Sequence, residues 1–187
     1  MSTSTPYITD IVFSIDLNCQ LDLLKIAQRA SNTTYDSKLD AVIMTIRNPA
    51  AKAVLFQSGK MICSGNRTVE RSRRAGRRFA RILQLLDFNA RFTKFSVVNL
   101  VARYDAHFKI RLELLAVSHF APRIVYEPEV DPNLLFKMES VKILIFDSGK
   151  MVFSGAQKEK QVYDAFVNIL PIVEQFREVT SQKIADC

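Results

Sequence analysis

The chain has 187 residues, with 26 Lys and Arg against 19 Asp and Glu, a formal net charge of +7 and a pI near 9.5. Apolar residues make up 48%, enough to bury a sizeable core in one compact domain or two small fused ones, and the basic excess points to a polyanionic partner. Cys19, Cys63 and Cys187 are too few and too scattered for a disulfide framework or a zinc cluster, which fits a reducing compartment. The first six residues carry no basic segment followed by an apolar one, so no secretory signal is expected. No apolar run reaches the ~20 residues of a membrane helix, so no membrane partner is expected.

In chain order the elements form a pattern that then recurs. Ile8-Thr-Asp-Ile-Val12 and Leu21-Asp-Leu-Leu-Lys-Ile-Ala27 open the first copy. Val54-Leu-Phe-Gln-Ser-Gly-Lys-Met-Ile-Cys-Ser-Gly65 follows, two apolar runs of strand length around Ser-Gly-Lys, where Gly supplies a hairpin turn. Residues 70–86 read as a helix, with Ala75, Phe79, Ile82 and Leu86 at helical spacing. Val97-Val-Asn-Leu-Val101 then matches the opening segment, and 110–116 resembles 21–27. Leu144-Ile-Phe-Asp-Ser-Gly-Lys-Met-Val-Phe-Ser-Gly155 repeats the hairpin. Residues 159–176 repeat the helix, with Val162, Ala165, Phe166, Ile169, Ile172 and Val173 as its stripe and Pro171 inside it. The period, on the order of 90 residues, is too long for a solenoid array. Two copies of strand, helix, several strands and helix imply fused, pseudo-symmetric halves.

The hairpin strands are apolar on both faces. Side chains alternate along a strand, so Val54, Phe56, Ile62 and Ser64 share one face, and Ala53, Leu55, Met61 and Cys63 the other. Leu144, Phe146, Val152 and Ser154 oppose Ile143, Ile145, Met151 and Phe153 in the same way. Two arrangements fit this pattern. Both faces are buried in a three-layer domain, or helices cover one face and leave a wide apolar surface for a partner. Two helices per copy suffice for one face of a joined sheet, not for both.

Arg67, Arg71, Arg73, Arg74, Arg77, Arg78 and Arg81 cluster on and just before the helix at 70–86. They fit a helix entering a DNA groove, a surface for acidic proteins, or a solvated face. Chemistry-bearing motifs are otherwise sparse. His107 and His119 lack carboxylate or thiol neighbours at metal spacing. Ser-Gly-Lys lacks the Gly-rich lead of a phosphate loop, and neither a nucleophile elbow nor a dinucleotide fingerprint is present. The expectation is a non-enzyme with no metal and no cofactor.

Ala41-Val-Ile-Met44, Ile46-Arg-Asn-Pro49, residues 56–65, Phe79-Ala-Arg-Ile82, Tyr126-Glu-Pro-Glu129 and residues 146–155 together resemble the core of TATA-box-binding proteins, in order and spacing. The resemblance runs from about residue 8 to residue 177. It implies an α+β fold shaped as a pseudo-twofold saddle, a curved antiparallel sheet with helices on its convex side. The repeats would be 8–96 and 97–179, with short tails at 1–7 and 180–187. That family is itself a familiar example of minor-groove binding with inserted apolar wedges. The resemblance implies a nuclear transcription initiation factor that binds promoter DNA and nucleates preinitiation complex assembly. By position, Val12, Val54, Ile62, Val101, Leu144 and Val152 match groove contacts, and Asn99 matches an Asn that hydrogen-bonds base acceptors. Ser64 and Ser154 stand where Thr is usual. Ser58, Lys60, Ser148 and Lys150 would meet the sugar-phosphate backbone at hairpin tips, and Arg47 matches a phosphate contact. Arg77, Arg78 and Arg81 match positions used for transcription factor IIA and other regulators; Glu127, Glu129 and Val130 match the stirrup that receives transcription factor IIB. A homodimer through the concave face of the free protein is a further implied state.

The chain departs from that pattern at its wedges. Phe56 and Phe146 match the later member of each Phe pair. Asp131 replaces the earlier one in the second copy, and Leu39 or Asp40 does so in the first, where the turn is one residue shorter. Asp10 stands at the first copy's central Asn, and Thr45 stands for an Arg. Carboxylates near phosphates repel and release no counterions. A related scaffold with weak or non-TATA DNA binding, acting mainly through protein partners, is therefore the alternative expectation.

Overall fold

A computed structural model describes residues 5–178; Cys187, the predicted tail 180–187 and residues 1–4 of the predicted tail 1–7 lie outside the described residues. The first half of the chain runs β1 (Tyr7–Asp16), α1 (Leu23–Arg29), β2 (Thr33–Asp36), β3 (Ala41–Arg47), β4 (Ala50–Phe56), β5 (Lys60–Asn66) and α2 (Val69–Leu85). The second runs β6 (Thr93–Asp105), α3 (Leu112–Ala116), β7 (Ile124–Glu127), β8 (Asp131–Lys137), β9 (Lys142–Ile145), β10 (Lys150–Ala156) and α4 (Glu159–Gln175), with a short 3-10 turn at Ala121–Arg123. Each half is a strand, a short helix, four strands and a long helix, as the internal repeat predicts.

The chain divides into two compact units, Ile8–Val101 and, among the described residues, 5–7 with 102–178. In the first, antiparallel strands lie in the order β2-β3-β4-β5-β1. In the second, β10-β9-β8-β7 are likewise antiparallel. The class is α+β.

In the first unit α2 covers one face of these strands. A Cβ built on Gly76 of α2 would come within 2.3 Å of Ile15 Cδ1 and 3.4 Å of Phe13 Cε2, both on β1. Helix and strand thus approach closely, and a larger residue at 76 would have to displace the Ile15 and Phe92 side chains. This rotates the helix relative to the stripe read from apolarity. The buried face is Ser72, Ala75, Gly76, Phe79, Ala80 and Leu83, while predicted stripe members Ile82 and Leu86 are only half-buried. A close contact selects small residues whatever their polarity, and Ser72 satisfies its hydroxyl by donating to the Thr68 carbonyl at 3.0 Å. In α4 the stripe is Val162, Ala165, Phe166, Ile169 and Val173, with Ile172 half-buried at its margin.

The helices start where their caps allow. Thr68 Oγ1 accepts from the Arg71 N–H at 3.3 Å, and Asp22 Oδ1 from the Lys25 N–H at 3.0 Å, each satisfying an orphan donor of the first turn. Gln161 does this for α4 from the third position, its Oε1 accepting from the Lys158 and Gln157 N–H groups.

The two Ser-Gly-Lys turns are anchored alike. Gly59 and Gly149 hold φ of +83° and +87°, a region that disfavours side chains. A Cβ on either would strike a backbone carbonyl oxygen, Cys19 at 2.0 Å or Phe108 at 2.1 Å. The chain leaving β1 donates from Leu17 N to Gly59 O at 3.0 Å, and the chain leaving β6 from Ala106 N to Gly149 O at 3.0 Å. Each turn is therefore held by the segment crossing beneath it. Gly59→Ala and Gly149→Ala are expected each to destabilise the protein by ~2 kcal/mol or more, through backbone strain and the clash, read as a lower midpoint in chemical denaturation.

Candidate nucleic-acid interface

Alternation along the strands separates two faces. On the helix side, paired residues Tyr35, Val42, Leu55, Met61 and Ile15 form one cross-strand row, and Thr33, Met44, Ala53, Cys63 and Phe13 the next. From Val42 to Ile15 and from Met44 to Phe13 these rows are buried. The opposite face carries Thr34, Ile43, Val54, Ile62 and Ser14 in register. Here Ile43, Val54, Ile62 and Ser14 are half-buried, on the face away from the Phe13 and Ile15 side where α2 packs. In the second unit Ile145, Met151 and Phe153 are fully buried, while Val152, Leu144, Leu135 and Val125 form the matching open row. Residues 51–60 and 141–150 show the same sequence of buried, half-buried and exposed positions.

The predicted residues fall on these faces as follows. Val12, Val54, Ile62, Ser64 and Phe56 lie on the first unit's open face, and Leu144, Phe146, Val152 and Ser154 on the second's; all are half-buried. Asn99 and Val101 are half-buried on one side of β6, whose other side carries the buried Leu100 and Ala102. Ser58 and Lys60 are exposed at the first hairpin turn, Ser148 and Lys150 at the second. Arg47 ends β3 and is exposed. The alternation also brings in residues that motif matching missed. Ile43, Leu135 and Val125 extend the apolar rows. Lys52 pairs with Ser64 and Lys142 with Ser154, both lysines exposed. Arg103 shares the parity of Asn99 and Val101 and is exposed. The signal for Ile43, Leu135, Val125, Lys52 and Lys142 lay in the pairing register of neighbouring strands, and for Arg103 in the alternation along β6.

The acidic departures have distinct surroundings. Asp10 Oδ1 accepts from the Gly65 N–H at 2.7 Å and from its neighbour's N–H, Ile11, at 2.9 Å. Gly65, at φ +107°, sits where the β1–β5 register slips, which turns its N–H toward Asp10. Asp40 lies in the β2–β3 turn and accepts from the Tyr35 hydroxyl at 2.7 Å, a bond that raises the Tyr35 pKa. Leu39 beside it is 57% exposed. Asp131, exposed at the start of β8, accepts from the Asn133 N–H and its Nδ2. Asp16, also on β1, is held below its usual carboxylate pKa by the Asn18 N–H and by Lys94.

The α2 arginines point away from the open face of the first unit, because α2 packs on the Phe13 and Ile15 side. The groove-entering arrangement of that helix therefore puts its basic side opposite the apolar rows. Arg73 stacks over Phe95 with 4.3 Å to the ring centre, and Arg77 over Phe92 at 5.5 Å. Arg78 donates to the Asn48 carbonyl, and Arg81 to Gln84 Oε1 at 3.1 Å. Glu127, Glu129 and Val130 surround the β7–β8 turn, all exposed, Val130 by 82%. Among the described residues no group of three His, Cys, Asp or Glu could hold a metal ion, and no helix is long and apolar enough to cross a membrane.

The two faces should separate in stability measurements. Leu55→Ala and Met61→Ala are expected to cost ~2–5 kcal/mol, as buried truncations do. Val54→Ala and Ile62→Ala, whose side chains are already half in water, should cost under about 1.5 kcal/mol by lost burial. Urea denaturation of the four variants checks this.

Comparison with known proteins is consistent along the chain. The family model described as transcription factor TFIID (or TATA-binding protein, TBP) matches twice, at residues 5–86 and 94–176. TATA box-binding protein-like 2 of Mus musculus is 45% identical over 177 residues, covering 93% of this chain and 51% of that protein. The TATA-box-binding protein 1 of Triticum aestivum is 46% identical over 176 residues, covering 92% of this chain and 75% of its own length. The chain thus spans about half the length of the mouse relative and three quarters of the wheat one. The solved structure of Methanococcus jannaschii TBP has the same fold, with a TM-score of 0.80 at 24% identity over 92% of this chain and 99% of that one.

Proposed function

The chain belongs to the TATA-binding protein family, and from that premise we propose that it is a transcription initiation factor that binds promoter DNA in the minor groove through its open apolar rows. The observation that carries this is the apolar rows left open on the strands, the half-buried Ile43, Val54 and Ile62 in one unit and the half-buried Leu135, Leu144 and Val152 with the exposed Val125 in the other. The minor groove of A·T pairs offers acceptors and little else, so a surface that reads shape and excludes water suits it. In this proposal the repeats 8–96 and 97–179 each present an open apolar face to the duplex. Val12 and Val101 add to the apolar rows, Asn99 donates to base acceptors, and Ser64 and Ser154 lie at the margins of the rows. Phe56 and Phe146 press on base steps. Lys60, Lys150, Ser58, Ser148 and Arg47 meet phosphates, joined by Lys52, Lys142 and Arg103.

Action would be nuclear and would nucleate a preinitiation complex. Arg77, Arg78 and Arg81, on the helix side, would receive acidic surfaces of transcription factor IIA or other regulators. Glu127, Glu129 and the protruding Val130 would meet transcription factor IIB. Without DNA, the apolar rows would favour self-association.

A second reading has a specific observation behind it. Asp131, and Asp40 or Leu39, stand where apolar rings would unstack a base step, and Asp131 and Asp40 are tied into their own turns. A carboxylate cannot wedge, so binding should be weaker, less bent or less TATA-selective, with partners supplying part of the promoter recognition.

Band shifts on TATA and scrambled duplexes test both. Duplex affinity should fall with salt along a linear log–log slope, and Ile62→Glu with Leu144→Glu should remove it by a hundredfold or more, a carboxylate on each apolar row having no partner there. Retained binding by that double variant would overturn the proposal. Arg77→Glu with Arg78→Glu should leave duplex affinity within about twofold, since both lie on the helix side away from DNA, and should weaken recruitment of transcription factor IIA; a pull-down on immobilised duplex reads both.

A further inference from the structure

Asp10 is a carboxylate on the face proposed to meet the bases, and its chemistry there differs from everything around it. Its Oδ1 is fixed by the Gly65 and Ile11 N–H groups at 2.7 and 2.9 Å. Both bonds fall on one oxygen, which leaves Oδ2 as an acceptor. Among the described residues no Lys or Arg pairs with it. Of the other acids on the first unit's open face, Asp16 pairs with Lys94 at 3.0 Å, and Asp36, whose Oδ1 likewise takes two N–H groups, those of Lys38 and Leu39, stands at the end of the edge strand β2. Around Asp10 that face offers Val12, on its own strand, and Ser64. A duplex laid on this surface would displace water from the carboxylate, and a buried acceptor left without a donor is costly.

The minor groove supplies a donor at one place only. Adenine N3, thymine O2, guanine N3 and cytosine O2 are all acceptors; the guanine 2-amino group is the exception. An ionised carboxylate has acceptors and no donor. Opposite an A·T pair Asp10 would set acceptor against acceptor. Opposite a G·C pair it would accept from the guanine amine.

Resting on the minor-groove reading above, we propose that Asp10 is a specificity residue that selects a G·C pair at the position read by the first repeat. Asn99, its counterpart in the second repeat, carries an amide with donor and acceptor both and tolerates A·T. The two halves then ask for different base pairs, which fixes the direction in which the chain lies on its site.

The test uses the full chain and a series of otherwise A·T-rich duplexes in which each pair in turn is replaced by G·C or by inosine·C. Inosine keeps the major-groove edge of guanine and lacks the 2-amino group. At one position, or two adjacent ones, the G·C duplex should bind about tenfold more tightly than its inosine twin, the scale of one base-specific contact. Asp10→Asn, near-isosteric and still able to accept from Gly65, should bring that ratio to about one and tighten binding to A·T at the same place. The inosine comparison needs no variant, so it stands even if a substitution unfolds the protein. Salt-dependent binding with no G-to-inosine difference at any position overturns the assignment while leaving minor-groove binding intact. A difference that Asp10→Asn leaves unchanged also overturns it. Absence of salt-dependent binding to every duplex, or binding indifferent to Ile62→Glu with Leu144→Glu, sinks the minor-groove reading and this inference with it.

Discussion

The rest of the structure depends on a mismatch between what the strands present and what the helices can cover. A strand with apolar residues at consecutive positions has two faces that avoid water. Each unit supplies one long helix and one short one, and in the first unit the long helix packs on the Phe13 and Ile15 side through a close approach at Gly76. Leu55, Met61 and Cys63 are sealed by that arrangement, and burial raises the Cys63 thiol to about 12. Val54 and Ile62, one residue away on the same strands, stay half in water. Leaving apolar side chains exposed costs about 25 cal/mol for each Å² not removed from water, and the cost recurs at matching positions of both units. A surface kept so is a surface for something else.

The duplication makes this argument stronger than one copy would. Gly59 and Gly149 adopt the same conformation, face the same kind of carbonyl obstruction and accept from the crossing segment at the same distance. The burial of 51–60 and 141–150 agrees position by position. The copies do differ in element length: β9 has four residues against seven in β4, and β2 and β3 are joined by residues 37–40 where β7 and β8 are joined by 128–130.

Much of this was legible in the sequence, and what was not has a physical reason. The hairpins, the face alternation around them and the long helices followed from period and from Gly in the turn. The helix face did not, because Ser72 and Gly76 pack by size rather than by apolarity. Ile43, Leu135 and Val125 were missed because their place depends on pairing between strands, and period alone does not give register. Lys52 and Lys142 became visible once Ser64 and Ser154 were seen beside them. The partner of Asp10 was out of reach too: a register slip at Gly65 decides it, and such slips leave little trace in a single sequence.

On the proposed minor-groove reading, charge separates what would attract the chain to DNA from what would discriminate along it. The surplus of Lys and Arg acts over a Debye length and carries little sequence information. In the first unit seven arginines lie on or just before the helix that packs away from the open face, so the basic character serves two surfaces and cannot be credited to one. The open face itself has few charges: lysines and arginines at its margins, and aspartates set among apolar rows. Marginal cations strengthen binding to any duplex alike. A carboxylate in a water-excluding surface does the reverse, weakening contact with most base pairs and sparing the few that offer a donor. In the proposed role the acidic substitutions would therefore trade general affinity for discrimination, and preference among duplexes would follow from where the acids sit more than from how many Lys and Arg the chain carries.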